Sequence, residues 1–445
     1  MRKIILIIFA SSLLLTCKNL ENADPAPRKT FIKFYEGINS ITATAVEKIP
    51  TGYVILANSN SVTEKGLQVK TILIETDEQG NRIGDFHFFD NINSKNFKPI
   101  INNGVVNNYV IVGDSTSINP SEQQAANVTI SSLVVIVLDG SFSKPKRKYL
   151  KDNSNKEIKD DFFAGSVSLT TDHDGNLDGA VVLGTFKEGV VNQQNAPEEQ
   201  LLWGFNASLD SAWLAKYPLL TNTYANARSM HYKNGNLIWA TAIADVQGDF
   251  ISSYLAIPLV QEKSVPVNFS TIGATTTQRF LPQDIKPAAS PAFGYGVVGT
   301  YSENIDGSKA NLFFLRVAAN GTIITDSDRY FDGIKSSNSD VAKGSSEIID
   351  SGNAIASTND GGYFLAGTIS TNPLKGNGGK DLLLIKVNSL GDLVWIKTMG
   401  GTGDEVPVSA TETDSGDLIV CGTNTLSGYA SVFLMRMDKN GELKN

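Results

Sequence analysis

Residues 358–401 read TNDGGYFLAGTISTNPLKGNGGKDLLLIKVNSLGDLVWIKTMGG, and residues 413–445 begin the same pattern again as TDSGDLIVCGTNTLSGYASVFLMRMDKNGELKN. In the first copy the residue types predict a second strand at Tyr363–Gly367, a third at Asp381–Val387 and a fourth at Leu393–Lys397. A chain that repeats a four-strand unit builds a radial or solenoid architecture.

The pattern recurs along the chain, and aligning the aromatic or glycine pair that opens each second strand gives seven units. Short apolar or alternating runs lie between Gly, Asn and Asp clusters with almost no helical period, which indicates an all-β chain. The spacing of about 55–70 residues is near the upper end for propeller blades. The second strands are predicted to begin near Gly52-Tyr53, Asn108-Tyr109, Asp178-Gly179, Gly235-Asn236, Gly294-Tyr295, Gly362-Tyr363 and Gly416-Asp417.

The two ends of the repeat region complement each other. The last unit stops after Gly441–Leu443, where a fourth strand is expected, and Phe31–Gly37 resembles the fourth strand of the preceding unit, Val394–Gly400. An N-terminal strand in that place completes the last sheet and removes an open edge. We therefore predict that residues 31–445 form one domain, a seven-bladed β-propeller of four-stranded antiparallel blades closed by the N-terminal strand. An open solenoid is the alternative.

The N-terminus has the features of a targeting segment. Residues 1–16 contain a basic start followed by an apolar run of signal-peptide length. The run ends in Leu-Leu-Leu-Thr-Cys, which resembles the lipobox of bacterial lipoproteins, although Thr16 departs from the usual small residue before the cysteine. We predict lipidation at Cys17 and a flexible tether over residues 17–30, with the lipid as the sole membrane contact. An ordinary secretion signal with an incidental cysteine is the alternative.

The composition of the chain narrows the classes of molecule that the protein can bind and the role of its cysteines. The formal net charge of −8 is spread along the chain and forms no basic patch, which argues against nucleic acid. Once Cys17 is lipidated, only Cys421 remains, inside an apolar run, so a disulfide is not expected and Cys421 is interpreted as a core residue.

Loop lengths indicate which face of the predicted propeller is used for recognition. In the predicted propeller the second-to-third and blade-to-blade connections share one face, and nearly all the long polar segments fall there: 58–69, 114–127, 186–200, 301–309 and 369–380, with blade-to-blade segments 151–159 and 336–346. Long loops on a rigid scaffold often carry recognition, although tolerated surface drift explains them as well. The candidate interaction residues are Asp114, Asn119, Glu122, Glu188, Asn192, Glu198, Asn304, Asp306, Asn372 and Lys375.

Motifs for chemistry are scarce. The three His residues have no metal-ligand spacing from one another or from Cys, and no P-loop, G-x-S-x-G or H-E-x-x-H motif occurs, so no catalytic residue is assigned. The segment containing Asp172, Asp174, Asn176 and Asp178 alternates oxygen side chains around a glycine, as calcium loops do. It also falls where other units make a hairpin turn. Calcium is therefore the one cofactor that the sequence suggests, and an ordinary hairpin turn is the alternative interpretation of this segment.

The series DGGYFLAGT, GGKDLLLIKV and LGDLVWIKTMGGTGDE resembles the repeats of secreted and surface β-propeller proteins common in Bacteroidota. Such repeats specify a scaffold and carry no fixed catalytic residues, so the resemblance implies a non-enzymatic protein. It also implies an outer-membrane lipoprotein at the cell surface that docks on a larger membrane assembly, such as a TonB-dependent transporter or another barrel complex. A receptor that captures glycan or peptide at its loop-rich face is a second hypothesis. A propeller glycan hydrolase or lyase is a third.

Overall fold

The protein is described here by a computed structural model, which covers residues 30–37, 39–63, 66–118, 129–150, 161–187, 198–217, 223–233, 236–245, 250–257, 268–272, 279–289, 294–302, 310–331, 350–370 and 379–443. Every regular element in those ranges is a β-strand, and together they give an all-β, propeller-like fold. The all-β prediction is confirmed. In the part of the chain that the structure describes, no helix has the length and apolar character needed to cross a membrane.

The described strands form seven four-stranded antiparallel sheets. Sheet 7 takes its fourth strand from the N-terminus: β1 (Phe31–Tyr35) lies beside β28 (Tyr429–Met437), which is followed inward by β27 (Leu418–Leu426) and β26 (Asp404–Glu412). The other six sheets each contain four consecutive strands. Sheets 1 to 3 are β2 (Ile41–Ile49), β3 (Gly52–Thr63), β4 (Gly66–Asp77), β5 (His87–Asp90); β6 (Asn93–Asn102), β7 (Val105–Ile118), β8 (Thr129–Asp139), β9 (Lys146–Leu150); and β10 (Asp161–Thr171), β11 (Leu177–Lys187), β12 (Glu198–Asn206), β13 (Ser211–Tyr217). Sheets 4 to 6 are β14 (Thr223–Lys233), β15 (Asn236–Asp245), β16 (Phe250–Ile257), β17 (Asn268–Ile272); β18 (Arg279–Pro287), β19 (Tyr295–Ser302), β20 (Ala310–Val317), β21 (Arg329–Phe331); and β22 (Asp350–Ser357), β23 (Tyr363–Ile369), β24 (Asp381–Val387), β25 (Leu393–Met399).

The second strand of each sheet begins within three residues of its predicted position. The prediction of a loop over 58–69 is wrong, because β3 continues to Thr63 and β4 starts at Gly66, with Asn58 opposite Thr71 and Ser61 opposite Gln68. β7 likewise continues to Ile118, into the segment predicted as a loop from Asp114. These segments are polar, but an antiparallel ladder is held by backbone hydrogen bonds and needs no apolar side chain.

The inner strands are buried on both faces where a sheet packs between two neighbours, as sheet 6 does between sheets 5 and 7. All seven residues of β23 and of β24 are buried, whereas the outer strand β25 is half-exposed. Core clusters cross the boundaries between sheets. Val298 and Phe314 of sheet 5 pack with Leu365 and Ile385 of sheet 6. Strands buried on both faces are expected to be continuous apolar runs, which explains why the pattern AGT…DLLLIKV is so legible in the sequence.

A polar side chain joins each sheet to the next by a hydrogen bond. At the boundary between the last and first sheets, the Ala43 amide donates to Thr423 Oγ1 at 3.0 Å. Such bonds stabilise the boundary between two sheets, because they pair backbone amides that make no hydrogen bond within their own sheet. The other six pairs, in order along the chain, are Ser94 N to Asn58 Oδ1 (2.9 Å), Ala164 N to Asp114 Oδ1 (2.6 Å), Tyr232 N to Ser168 Oγ (3.0 Å), Ser229 Oγ to Asp284 Oδ1 (2.7 Å), Ile355 N to Asp284 Oδ2 (3.2 Å) and Asn359 N to Glu412 Oε2 (2.6 Å).

The N-terminal strand β1 is held from two sides. It pairs antiparallel with β28, with Phe31 opposite Arg436 and Tyr35 opposite Val432. On its other side it meets the β4–β5 turn, where the Tyr35 hydroxyl donates to the Gly80 carbonyl at 2.7 Å and the Phe31 ring lies against Gly80. Phe31 therefore lies on the same side of the molecule as the turns between third and fourth strands.

Replacing Gly80 with alanine should destabilise the protein more than replacing Gly175 does. Both glycines have positive φ (72° and 83°), so alanine costs about 1–2 kcal/mol at either site. A Cβ on Gly80 would lie 2.4 Å from the Phe31 ring, whereas one on Gly175 would meet nothing within 4 Å. We expect Gly80→Ala to lose roughly 1–3 kcal/mol more in chemical denaturation, because overpacking displaces β1. Equal losses would contradict the docking of β1 on the β4–β5 turn.

Candidate functional site

The predicted calcium loop is the β10–β11 turn. Asp172 Oδ1 accepts hydrogen bonds from the Asp174 amide at 2.9 Å and the Asn176 amide at 2.8 Å, and the Gly175 amide donates to the Asp172 carbonyl. These bonds, with one from the Asn176 side chain, lower the pKa of Asp172. Asp178 lies in β11, beyond the turn.

The same five-residue turn occurs elsewhere in the chain. Asp77 Oδ1 accepts from the amides two and four residues on, at 2.9 and 2.7 Å, and Asp438 Oδ1 does so at 2.9 and 2.9 Å. The Asp172 carboxylate therefore has the bonding of a turn cap. Within the described ranges, no three or more His, Cys, Asp or Glu side chains are grouped as a metal site would require. Calcium binding by this loop stays a prediction.

Two of the ten candidate interaction residues lie in strands. Asp114 in β7 is 11% exposed; its carboxylate accepts from the Ala164 amide and pairs with Lys95 at 3.1 Å, so it joins sheets 2 and 3. Burial raises the pKa of Asp114 above its ordinary value, and Lys95 and the Ala164 amide oppose that shift. Glu198 begins β12 opposite Lys187. The other eight lie outside the described residues: Asn119, Glu122, Glu188, Asn192, Asn304, Asp306, Asn372 and Lys375.

A groove of about 710 Å³ runs between sheets 6 and 7, and we call it the 6–7 groove. Its walls are mostly apolar. β1 contributes Ile32 and Phe34, which are 44% and 53% exposed, while β25 contributes Met399 and β28 contributes Phe433 and Met435. Its volume is in the range of ligand pockets, roughly 300–1,000 Å³.

One end of the 6–7 groove is acidic. Asp381 at the start of β24, Glu405 in β26 and Asn424 in β27 line it, next to the connection of residues 400–403, which reads Gly-Gly-Thr-Gly. The glycines allow the 400–403 connection to lie close to the Asp381 carboxylate, because a Cβ on Gly400 would lie 2.0 Å from Asp381 Oδ1. Among the described residues that line the groove, none is Lys, Arg or His.

Two buried oxygens at this end have no hydrogen-bond partner among the described residues. Asp381 is 9% exposed, and its Oδ1 has no hydrogen bond; Asn424 Oδ1 is likewise buried and unbonded. Glu405 Oε2 accepts from the Gly401 amide at 3.2 Å, and Asp404 Oδ1 accepts from the Lys380 amide at 3.0 Å. Buried polar atoms are nearly always hydrogen-bonded, so unpaired oxygens in a groove mark a place where a donor is missing.

The electrostatics of the acidic end favour protonation or a bound cation. Burial raises the pKa of Asp381, and the negative charge of Asp404 raises it further. Burial also raises the pKa of Glu405; the Gly401 amide opposes this, and the charges of Asp381 and Asp404 add to it. The carboxylates repel one another in a partly desolvated site, and none of the described residues that line the groove has a cationic side chain to offset them.

A second groove of about 880 Å³ lies beside the β1–β2 connection. It is lined by charges of both signs, including Glu36, Lys70, Arg82 and Asp85. Its charges therefore offset one another, whereas those of the 6–7 groove do not. The 6–7 groove is the candidate functional site.

Sequence reasoning did not find the 6–7 groove. It treated residues 400–405 only as part of the repeat pattern LGDLVWIKTMGGTGDE and Asp381 as the start of a strand. The available signal was a glycine run directly before two acidic residues, which is common in loops. That these residues meet Asn424 and the N-terminal strand depends on the packing of sheets 6 and 7.

No family model matches this sequence, and no curated protein matches it. Solved structures of similar fold include a Trypanosoma rangeli sialidase in complex with sialic acid (12% identity over 82% of this chain and 56% of that chain, TM-score 0.44) and Pyrococcus horikoshii acylaminoacyl peptidase (10%, 91% and 52%, TM-score 0.45). Kuenenia stuttgartiensis hydrazine synthase is also similar (11%, 88% and 94%, TM-score 0.48). The chain thus spans about half the length of the sialidase and peptidase chains. At these identities the likeness concerns the fold alone.

These structures are of enzymes, which corrects the expectation that the chain is non-enzymatic. That expectation was drawn from a repeat pattern without fixed catalytic residues, and a fold that also occurs in enzymes does not exclude catalysis. The likeness assigns this chain no reaction and no catalytic residue.

We expect Asp381→Asn to stabilise the protein by about 1 kcal/mol, because it removes a buried charge that has no partner. A matched change in the same sheet should have the opposite sign. Asp360 pairs with Lys386, whose side chain is 5% exposed, at 2.8 Å, so Asp360→Asn should destabilise by a similar amount. Urea denaturation of both variants at neutral pH checks this. A loss of stability in Asp381→Asn would show that the carboxylate has a partner.

The acidic end also predicts a pH dependence. The pKa values of Asp381 and Glu405 are raised from their ordinary values of 3.8 and 4.5, so above those values the folded state holds more protons than the unfolded state. The groups therefore cost stability as pH rises from that range through their raised pKa values. Asp381→Asn with Glu405→Gln removes the cost. The stability difference between this double variant and the wild type should grow from pH 4 towards pH 7. A difference that does not change with pH would contradict the raised pKa values.

Proposed function

We propose that the seven sheets are the blades of a closed seven-bladed β-propeller, with β1 completing the last blade. Three observations support closure. β1 pairs with β28 over Phe31–Tyr35, and the boundary between sheets 7 and 1 has a hydrogen bond like the other six. That boundary also has a shared core, in which Ile55 and Ile72 pack with Ile419 and Leu434.

We further propose that the protein is an outer-membrane lipoprotein anchored at the cell surface through Cys17, and that its propeller is an interaction subunit of a larger outer-membrane assembly such as a TonB-dependent transporter or another barrel complex. The lipobox-like Leu-Leu-Leu-Thr-Cys sequence supports the anchor; residues 1–16, Cys17 and the tether through residue 29 lie outside the described residues.

The direction of β1 is the observation that carries this proposal. Phe31 lies against Gly80, on the face of the turns between third and fourth strands. The chain therefore leaves the domain towards the membrane on that face. The opposite face, with the second-to-third connections and the 400–403 segment at the rim of the 6–7 groove, is left to meet a partner. The thirteen residues 18–30 span at most about 45 Å, so the domain stays close to the bilayer.

A second candidate function is capture of a ligand at the cell surface. The 6–7 groove favours it, because that groove combines apolar walls with one unpaired carboxylate oxygen, of Asp381, and one unpaired amide oxygen, of Asn424. In that case the protein acts as a receptor by itself and needs no barrel partner.

Cys17→Ser should abolish incorporation of labelled fatty acid, because the proposed acyl chains are attached at the residue that is replaced. Cys421→Ser is the matched control: Cys421 is buried, and its substitution should leave labelling unchanged. In a mild-detergent pull-down from native membranes, the wild-type protein should bring down a stoichiometric outer-membrane protein. A wild-type protein that is lipidated but recovered without a partner would contradict the docking proposal and favour the receptor proposal. Fatty-acid labelling that persists in Cys17→Ser would contradict lipidation at Cys17.

A further inference from the structure

We propose that the 6–7 groove binds a basic side chain, lysine or arginine, of an extended peptide, with the charged end at Asp381 and Glu405 and the apolar flanks along β1. This inference goes beyond the docking proposal, since it concerns a ligand site on the domain itself and holds whether the peptide is free or part of a larger partner.

The shape of the groove fits a long side chain with its neighbours. About 710 Å³ is more than one lysine or arginine side chain fills, so the groove has room for the flanking residues as well. The methylene stem of a basic side chain packs on apolar surface while its charged end makes polar contacts. Met399, Phe433 and Met435 line the groove and supply apolar surface of this kind.

The charge in the groove selects a cation. Asp381 and Glu405 line its acidic end with Asp404 nearby, and no Lys, Arg or His is among the described residues that line it. Asp381 Oδ1 and Asn424 Oδ1 are buried acceptors without donors. An ammonium or guanidinium group carries donors only, so it satisfies both oxygens and offsets the repulsion between the carboxylates.

The strand β1 offers the backbone contacts that an extended peptide needs. One edge of β1 pairs with β28, and among the described strands none pairs with its other edge. Ile32 and Phe34 of this strand line the groove and are 44% and 53% exposed. A peptide that adds to an open edge gains main-chain hydrogen bonds, and pockets for its side chains then give specificity.

A metal ion is the competing occupant of the acidic end. The described carboxylates do not form a group of three that could hold a metal. The apolar walls also point to a ligand with a hydrocarbon body, because hard cations such as calcium need six or more oxygen ligands.

The test uses capped pentapeptides with one central residue between pairs of leucines, titrated calorimetrically into the purified full-length protein. The central residue is lysine, or norleucine, which keeps the stem and loses the charge. We expect the lysine peptide to bind at least tenfold more tightly than the norleucine peptide. Asp381→Asn and Glu405→Gln should each weaken lysine-peptide binding roughly tenfold, since a hydrogen bond to a charged group is lost. Asp414→Asn is the control, because Asp414 is a 95% exposed residue of the same sheet that does not line the groove.

Four results would overturn the proposal. Equal binding of the two peptides would mean that apolar contact alone is recognised. Butylammonium binding as tightly as the lysine peptide would mean that the site takes a free amine and that β1 recognises no backbone. A calcium-dependent rise in melting temperature that Asp381→Asn removes would mean a metal site. If no probe binds to wild-type protein whose melting curve shows that it is folded, the groove takes no cation.

Discussion

The structure depends on sheets that cover the faces of their neighbours, as sheets 5 and 7 cover the two faces of sheet 6. Burial on both sides makes the inner strands almost wholly apolar, as in β23 and β24, and leaves polar groups at the boundaries with few partners. The hydrogen bond at each boundary, such as Ala43 to Thr423, meets that need. Among the described strands, none pairs with the open edge of an outer strand, and the outer strand β25 is half-exposed. The surface available for binding is therefore at the outer strands and at the rims between sheets.

Acidic side chains perform three tasks on this scaffold, and their surroundings decide which. At the β10–β11 turn the Asp172 carboxylate accepts backbone amides, and its pKa is lowered. At a boundary the Asp114 carboxylate bridges two sheets and has Lys95 as partner. In the 6–7 groove Asp381 has an oxygen with no partner, and its pKa is raised. Only the third arrangement leaves bonding capacity for a ligand, because the first two are satisfied within the chain.

The N-terminal strand connects the anchor proposal with the ligand proposal. β1 sets the side of the domain from which the tether leaves, and its Ile32 and Phe34 form one wall of the 6–7 groove. A peptide bound along β1 would therefore lie against the strand that connects the domain to its anchor. Docking of a larger partner at the same rim would compete with such a peptide, so the two proposed activities are coupled through one strand.

The sequence by itself determined the strands, because a period-two or continuous apolar run between glycine-rich turns reflects local backbone preference and burial. It located the second strand of every sheet within three residues and placed an additional strand in Phe31–Gly37, where β1 covers Phe31–Tyr35. It failed where polar side chains lie on paired backbone: residues 58–69 were predicted as a loop but lie mostly in β3 and β4, and Asp114 was predicted in a loop but lies in β7. Only the tertiary structure brought Asp381, Glu405 and Asn424 together with β1. These residues come from sheets 6 and 7 and are separated by up to several strands in sequence, so their meeting depends on how two sheets pack, which no local pattern encodes.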